Sequence, residues 1–475
     1  MFFKKCKQIF LFLDFVSEIV YNIGATKILE NFMKIQLSDH FSYGRLIRFT
    51  LPSIAMMIFT SIYGVVDGFF ISTFTNKTSF AAVNFIYPFL MILGAVGFMF
   101  GTGGSALVAK TLGEGKREKA NKLFSMIIYL SIATGAIITF SGFFLVRPVA
   151  QLLGAGGQML EDCVTYGRII LLAIIPFMLQ IEFQSFFITA EKPKLGLFAT
   201  LASGITNIVL DALFVGLLGL DLEGAAWATA ISQCIGGLFS IGYFILPTNH
   251  SLLKLTKFEF DGRALIKTCT NGSSELMSNI SMSLVGMLYN FQLMRLEGEN
   301  GVAAYGVLMY VCMIFIAIFI GYSIGTAPIV GFNYGAGNHA ELKSILRKSA
   351  ILIAISSFVM LLLSLVLAMP LSHLFVGYDA GLLELTKRGF YIFSFSFLFS
   401  GISIFGSSFF TALNNGLISA LISFLRTLVF QTLAVLLLPI FMKIDGVWLS
   451  LVIAELLAGV VAIAFILANK KKYHY

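Results

Sequence analysis

The chain has 475 residues, of which 58% are hydrophobic and 12% are charged, and its mean hydropathy is +0.91. Water-soluble domains carry about 25% charged residues because their surface must be hydrated. This composition therefore excludes a soluble globular protein and indicates a surface that mostly faces lipid. The formal net charge of +8 is not accompanied by a basic stripe or a nucleic-acid-binding motif, so we expect no nucleic-acid partner.

The sequence contains none of the common catalytic motifs. The five cysteines are scattered without a CxxC pair, so neither a disulfide framework nor a zinc site is indicated. The metalloprotease HExxH, the P-loop and the GxSxG elbow are also absent. We therefore expect neither an enzyme nor a resident cofactor.

Residues 1–39 form an N-terminal segment ahead of the first long apolar run. The short apolar stretch in this segment is interrupted by Asp14 and Glu18, so it is too short and too charged to cross a bilayer. It also lacks the cleavage site of a signal peptide. Met33 starts an amphipathic lead-in to the first span, and we expect residues 1–32 to be dispensable. The alternative is an interfacial helix whose lysines meet anionic lipid.

Twelve apolar runs of membrane-spanning length follow, separated by short polar loops. The predicted spans are residues 46–73, 79–109, 120–146, 165–190, 195–219, 224–246, 264–293, 302–331, 345–373, 385–413, 416–441 and 446–469. The even-numbered loops and the C-terminal tail carry seventeen Lys and Arg residues, and the odd-numbered loops carry seven. This bias predicts a multi-pass protein of the plasma (inner) membrane with both termini in the cytoplasm.

The chain repeats itself at a fixed offset of 222 residues. The matching pairs are Ala81-Ala82 with Ala303-Ala304, Gly113 and Gly115 with Gly335 and Gly337, Phe187, Thr189 and Ala190 with Phe409, Thr411 and Ala412, and Gly224 with Gly446. Because each half has an even number of spans, both halves enter the membrane from the same side, which makes this a parallel repeat. We predict an N-lobe (40–247), a cytoplasmic linker (248–263), a C-lobe (264–470) and a cytoplasmic tail (471–475).

A few charged residues lie well inside the predicted spans, more than three residues from either end, where each costs about 2.5–3.5 kcal/mol on insertion scales. They are Asp67, Glu182, Asp211, Glu275, Arg426 and Glu455. For Glu182 and Glu455 the simpler interpretation is a side chain that pairs or snorkels and only ties helices together, and their roles stay open.

Asp67 and Asp211 are the candidates for an ion-coupling site. Asn207 and Asp211 are four residues apart and therefore share one helix face, and Thr229 on the next helix can add a hydroxyl. Two carboxylates and an amide oxygen form a hard-oxygen set that suits Na⁺ or a held proton. If the two carboxylates approach each other in a dry lobe, charge repulsion and lost hydration favour a protonated acid.

Arg426 and Glu275 form a second candidate site, in the C-lobe. An unpaired guanidinium near the middle of a span is too costly, so an ion pair with Glu275 is one expectation. The other is that a cationic substrate competes for Glu275. Both interpretations stay open at this point.

Several segments of the chain resemble the multidrug and toxic compound extrusion (MATE) family. They are LPSIAMMIFTSIYGVVDGFF, GTGGSALVAKTLGEGKREKA, NIVLD, GAAWAT and GYSIGTAPIVGFNYGAGN. The resemblance covers residues 33–470. It implies an all-α membrane protein with twelve transmembrane helices in two six-helix lobes, arranged as a V, which exports organic cations by rocking of the lobes.

The resemblance also implies roles for individual residues. The N-lobe cation site of many prokaryotic members falls on Asp67, Asn207, Asp211 and Thr229, while Pro52 bends the first helix and couples this site to the cleft. Glu275 resembles the helix-seven acid of the C-lobe. Some members pair that acid with an aspartate in helix ten, where this chain has FYIFSFSFLFSGISIFG and no acid.

The expected function is therefore an H⁺- or Na⁺-coupled antiporter that exports amphiphilic organic cations, acting as a monomer in the bilayer. The alternative is a flippase for lipid-linked saccharides from the same broad superfamily. Such flippases tend to place several cationic residues in the cavity for pyrophosphate, whereas the buried charges here are five acids and one arginine. A membrane-embedded enzyme lacks the necessary cluster of nucleophile or metal ligands, and a passive channel fits the repeat less well.

Overall fold

The computed structural model describes residues 35–246, 249 and 251–475, and this part of the chain is helical without any strand. The prediction for residues 1–32 therefore lies outside the described residues. The expectation of an all-helical protein is confirmed.

The described helices are numbered α1 to α12 in chain order. They are α1 (Tyr43–Phe74), α2 (Lys77–Gly113), α3 (Arg117–Leu153), α4 (Gly157–Leu172 and Ile174–Thr189), α5 (Pro193–Leu217), α6 (Asp221–Ile245), α7 (262–297), α8 (299–335), α9 (His339–Val376), α10 (Ala380–Ala412), α11 (416–442) and α12 (444–473).

Two of these boundaries are breaks inside longer helical stretches. Gly262–Gly335 is interrupted at Gly298 (φ 62°), and Gly416–Tyr473 is interrupted at Lys443 (φ 49°). Both breaks fall in predicted loops, and left-handed backbone reverses the chain there. The two parts of α4 meet at a bend of 55°, which the hydropathy pattern did not predict.

Short polar side chains fix the starts of several helices. Ser42, Asn76, Asp261, Asn338 and Asp379 each accept a hydrogen bond from a backbone N–H in the first turn. Each cap satisfies a donor that has no partner within the helix, which stabilises a helix by about 1 kcal/mol.

The two lobes touch through glycines at the end that carries the α2–α3 and α8–α9 loops. A Cβ atom on Gly113 would collide with the carbonyl oxygen of Phe332, and one on Gly335 would collide with the carbonyl oxygen of Lys110. The two contacts are related by the 222-residue offset, since 113 corresponds to 335 and 110 to 332. The repeat is therefore present in the packing, and the backbones approach so closely that only glycine fits.

The segment that precedes α1 lies across both lobes. Leu37 and Phe41 are fully buried. The Leu37 amide donates to Glu191 Oε1 in the N-lobe (2.7 Å), and the Phe41 amide donates to Glu341 Oε1 at the start of α9 in the C-lobe (2.9 Å). These contacts fasten the segment to both halves of the molecule.

Glu341 is the main anchor of this segment, and we expect Glu341→Ala to destabilise the protein. The substitution leaves the buried Phe41 N–H without an acceptor, at a cost of about 1–3 kcal/mol. It also removes the contact of Glu341 Oε2 with His40 Nδ1 (2.6 Å). The check is thermal unfolding of purified protein, with Lys343→Ala on the exposed side of the same helical turn as the control. Equal unfolding temperatures for the two variants would contradict the anchoring role.

Candidate functional site: two carboxylates in the N-lobe

Helix α5 places two polar side chains in the interior of the N-lobe. Asp211 is fully buried and Asn207 is 2% exposed. They stand one turn apart on the same face, as the spacing predicts. The regular α-helix ends at Asp211, and Ala212–Leu217 continues as a π-helix. Such wide turns occur often at functional sites, and nothing in the sequence pattern predicted this one.

Asp67 of α1 meets these side chains. Its carboxylate interacts with Asp211, Asn207 and Thr229. The Asn207 amide Nδ2 donates to Thr229 Oγ1 on α6 over 3.4 Å. The structure thus brings together the four residues that the sequence proposed for this site, from three different helices.

The site holds more acceptors than donors. Both Asp211 carboxylate oxygens, Asp67 Oδ1 and Asn207 Oδ1 are buried without a hydrogen-bond partner among the described residues. An ionised carboxylate only accepts hydrogen bonds, and leaving such a group buried and unpaired is costly. No described Lys or Arg forms an ion pair with Asp67 or Asp211. The arrangement therefore suits a proton or a cation between the two carboxylates.

Pro52 lies in the interior of α1, four turns before Asp67. Proline removes one backbone hydrogen bond and weakens the helix at that point. The neighbouring Ile54 packs against Gly321 of the C-lobe, where a Cβ atom would lie 2.5 Å from Ile54 Cα. The helix that carries Asp67 is thus in direct contact with the other lobe near its proline.

In the C-lobe, Arg426 pairs with a different acid from Glu275, the partner that one of the two expectations named. Arg426 forms an ion pair with Glu455: Nε lies 2.9 and 3.0 Å from the two carboxylate oxygens. Ser403 donates to Glu455 Oε2 over 2.8 Å. Glu275 forms no ion pair with a described residue, although it interacts with Arg426 electrostatically. The expectation of an Arg426–Glu275 ion pair is therefore corrected.

Arg426 occupies the second π-helix of the structure, Leu425–Phe430 in α11. The sequence analysis left the role of Glu455 open and named no partner for it. The signal that was available is Gln233, which stands 222 residues before Glu455 in the N-lobe. Because Gln233 is neutral and Glu455 is an acid, the acid indicates a positive charge that is present only in the C-lobe.

Glu182 of α4 is fully buried. Ser131 on α3 donates to its Oε1, while Oε2 has no partner among the described residues. This contact ties α3 to α4, in agreement with the simpler of its two interpretations.

The fold and the distribution of buried charge define a polytopic membrane transporter built from two six-helix lobes. The model of the MatE family matches residues 52–213 and 276–437, once in each lobe. The chain therefore belongs to the MATE family, whose members are transporters and not enzymes.

Known proteins that resemble the chain over most of its length support this family assignment. The multidrug export protein MepA of Staphylococcus saprophyticus is 23% identical over 424 residues, which are 89% of this chain and 92% of MepA. MepA of Staphylococcus haemolyticus is 27% identical over 363 residues, 75% of this chain and 80% of that protein. Among solved structures, the outward-facing conformation of a multidrug resistance MATE transporter superposes with a TM-score of 0.86 at 22% identity, covering 92% of this chain and 97% of that one. The latter similarity shows the twelve-helix, two-lobe fold.

Proposed function

We propose that the protein exports amphiphilic organic cations in exchange for H⁺ or Na⁺ moving inward, by alternating access of the cleft between its lobes. The observation that carries this proposal is the pair of carboxylates, Asp67 and Asp211, which face each other inside the N-lobe without a counter-charge. Binding a cation stabilises such a buried acid pair in one conformation of the transporter, and the pair releases the cation in the other conformation.

The coupling ion is monovalent in this proposal. Two carboxylates with the oxygens of Asn207 and Thr229 form a hard-oxygen set that suits one proton or one Na⁺. Pro52 provides the flexible point through which occupancy of the site alters the contact of α1 with the C-lobe.

The cargo site includes Glu275. Because Arg426 is neutralised by Glu455, Glu275 is left as the acid of the C-lobe that attracts a cationic cargo. Aromatic and methionine side chains are abundant in the chain (49 Phe and 18 Met), and such side chains bind organic cations of varied shape. The names of the two Staphylococcus relatives, both multidrug export proteins, support this class of cargo.

The flippase alternative is weakened by the same ion pair. A pyrophosphate-linked cargo needs free positive charge in the cavity. Arg426, the arginine that lies well inside a predicted span, is held by Glu455 and is mostly buried, with 15% of its side chain exposed. We also propose that both termini lie in the cytoplasm, on the basis of the Lys and Arg distribution in the loops. The protein works as a monomer in the plasma membrane in this proposal.

The test is transport in proteoliposomes with ethidium as the cargo and with the H⁺ and Na⁺ gradients set independently. We expect ethidium to move against the direction of one of the two gradients and to stop when an ionophore collapses it. Protein-free liposomes serve as the control. Ethidium flux that ignores both gradients would overturn the proposal of a coupled antiporter.

A further inference from the structure

A line of buried polar side chains runs along α5 away from the carboxylate pair. Starting from Asp211, it passes Asn207, Ser203 and Thr200, which are 2%, 2% and 1% exposed. These positions are separated by four, four and three residues, so they form one stripe about 16 Å long on a helix that rises 1.5 Å per residue. The stripe leads toward the α4–α5 loop, at the end of the N-lobe that is predicted to be cytoplasmic.

The neighbouring helices complete this stripe. Ser203 Oγ donates to the Ser232 carbonyl on α6 (2.8 Å) and lies 3.3 Å from Gln180 Oε1 on α4. Gln184, one turn beyond Gln180, has its Nε2 atom 3.5 Å from Thr200 Oγ1. Polar groups from three helices therefore meet along one seam inside the N-lobe.

The packing makes room for one member of the seam. A Cβ atom on Gly236 of α6 would lie 2.6 Å from Gln180 Cδ. The glycine thus allows a long polar side chain to lie flat between α4 and α6, at a place where a smaller apolar residue would fill the space with less desolvation cost.

The C-lobe carries a different polar set at the corresponding places. The α4–α5 and α10–α11 turns match at an offset of 223 residues, since Glu191 and Asn414 share a positive φ (59° and 58°). At this offset the counterparts of Gln180, Gln184, Thr200 and Ser203 are Ser403, Ser407, Ser423 and Arg426. The C-lobe counterpart is closed by the ion pair of Arg426 with Glu455, whereas the N-lobe seam consists of neutral hydroxyl and amide groups.

One amide oxygen of the seam has no hydrogen-bond donor. Asn207 Oδ1 is buried without a partner among the described residues. Side chains three or four residues apart on a helix are about 5–6 Å apart, a gap that one water molecule bridges. Hydroxyls and waters in such a row pass a proton onward because each accepts one proton and gives up its own, and the same oxygens can coordinate Na⁺ in turn.

We infer that the seam formed by Asn207, Ser203, Thr200, Gln180 and Gln184 is the route by which the coupling ion passes between the Asp67–Asp211 pair and the cytoplasmic end of the N-lobe. The ion therefore leaves through the lobe, separately from the cargo in the central cleft. This inference rests on the proposed coupled antiport. It assigns Ser203 and Thr200 a positioning role on the path and no role in holding the ion at its site.

The test compares the wild-type protein with Thr200→Val/Ser203→Ala in proteoliposomes. The double variant removes both hydroxyls with little change in shape. We expect the initial rate of gradient-driven ethidium export and of ion entry (pyranine fluorescence for H⁺, ²²Na⁺ for Na⁺) to fall at least tenfold. Ethidium affinity of the detergent-solubilised variant and its unfolding temperature should stay as in the wild type. Thr200→Ser/Ser203→Thr, which keeps both hydroxyls, should restore the rate.

A matched control lies on the corresponding helix of the C-lobe. Thr427 donates to the Ser423 carbonyl, and both side chains are buried, so Thr427→Val/Ser423→Ala makes the same chemical change away from the seam. Equal rates for the wild type and Thr200→Val/Ser203→Ala would overturn the route. An equal loss in the C-lobe control would also overturn it, because the effect would then be one of packing. If ethidium export by the wild-type protein depended on neither gradient, the proposed function itself would be contradicted.

Discussion

Asp211→Asn is expected to lower the initial rate of cation-coupled export at least tenfold, while the protein stays folded in the membrane. Asparagine has nearly the shape of aspartate but carries no charge and holds no exchangeable acid proton. Because both Asp211 oxygens are buried without a donor, the substitution also supplies donors to a site rich in acceptors. Folding is therefore retained, and the unfolding temperature should stay the same or rise.

Asp67→Asn should give the same loss, and the Asp67→Asn/Asp211→Asn double variant should be no worse than either single variant. Groups that act as one unit show such non-additivity. Asp162→Asn is the control, since Asp162 accepts hydrogen bonds from Ser79 and Gln158 outside the site. The readouts are drug resistance of expressing cells and ethidium export in proteoliposomes. Wild-type resistance in cells that carry Asp211→Asn at normal expression levels would remove the carboxylate pair from the mechanism.

Much of this fold could be predicted because lipid makes strict demands on a sequence. Each span needs about twenty apolar residues, so the loops around Gly298 and Lys443 were visible as gaps even though the helical backbone runs nearly through them. The bend within α4 and the two π-helices were not visible. They depend on how a helix packs against its neighbours, and the composition of one helix does not contain that information.

The N-lobe site was predictable for a related reason. A carboxylate in a span is so costly that it calls for a function, and the four-residue spacing of Asn207 and Asp211 fixes their common face. The partner of Arg426 was not predictable in the same way. Hydropathy gives the depth of a charged group in the membrane, but the rotation of each helix decides which acid it meets, and here that acid is Glu455 and not Glu275.

The Arg426–Glu455 ion pair leads to a prediction about stability. Removing one partner of a buried pair leaves an uncompensated charge and costs about 3–5 kcal/mol, whereas replacing both by apolar residues is often close to neutral. We therefore expect Arg426→Met to lower the free energy of unfolding strongly, because it leaves Glu455, whose side chain is 1% exposed, with Ser403 as its remaining partner.

The Arg426→Met/Glu455→Leu double variant should recover most of that stability, and a double-mutant cycle of unfolding free energies measures the coupling between the two residues. Glu275→Gln is the comparison, because Glu275 forms no ion pair with a described residue. It should leave stability near the wild-type value and should change which cations are exported. If Glu275→Gln destabilises the protein as much as Arg426→Met, and the double variant recovers nothing, then Glu275 and not Glu455 is the partner that neutralises Arg426. The acid available to a cationic cargo in the C-lobe would then be Glu455.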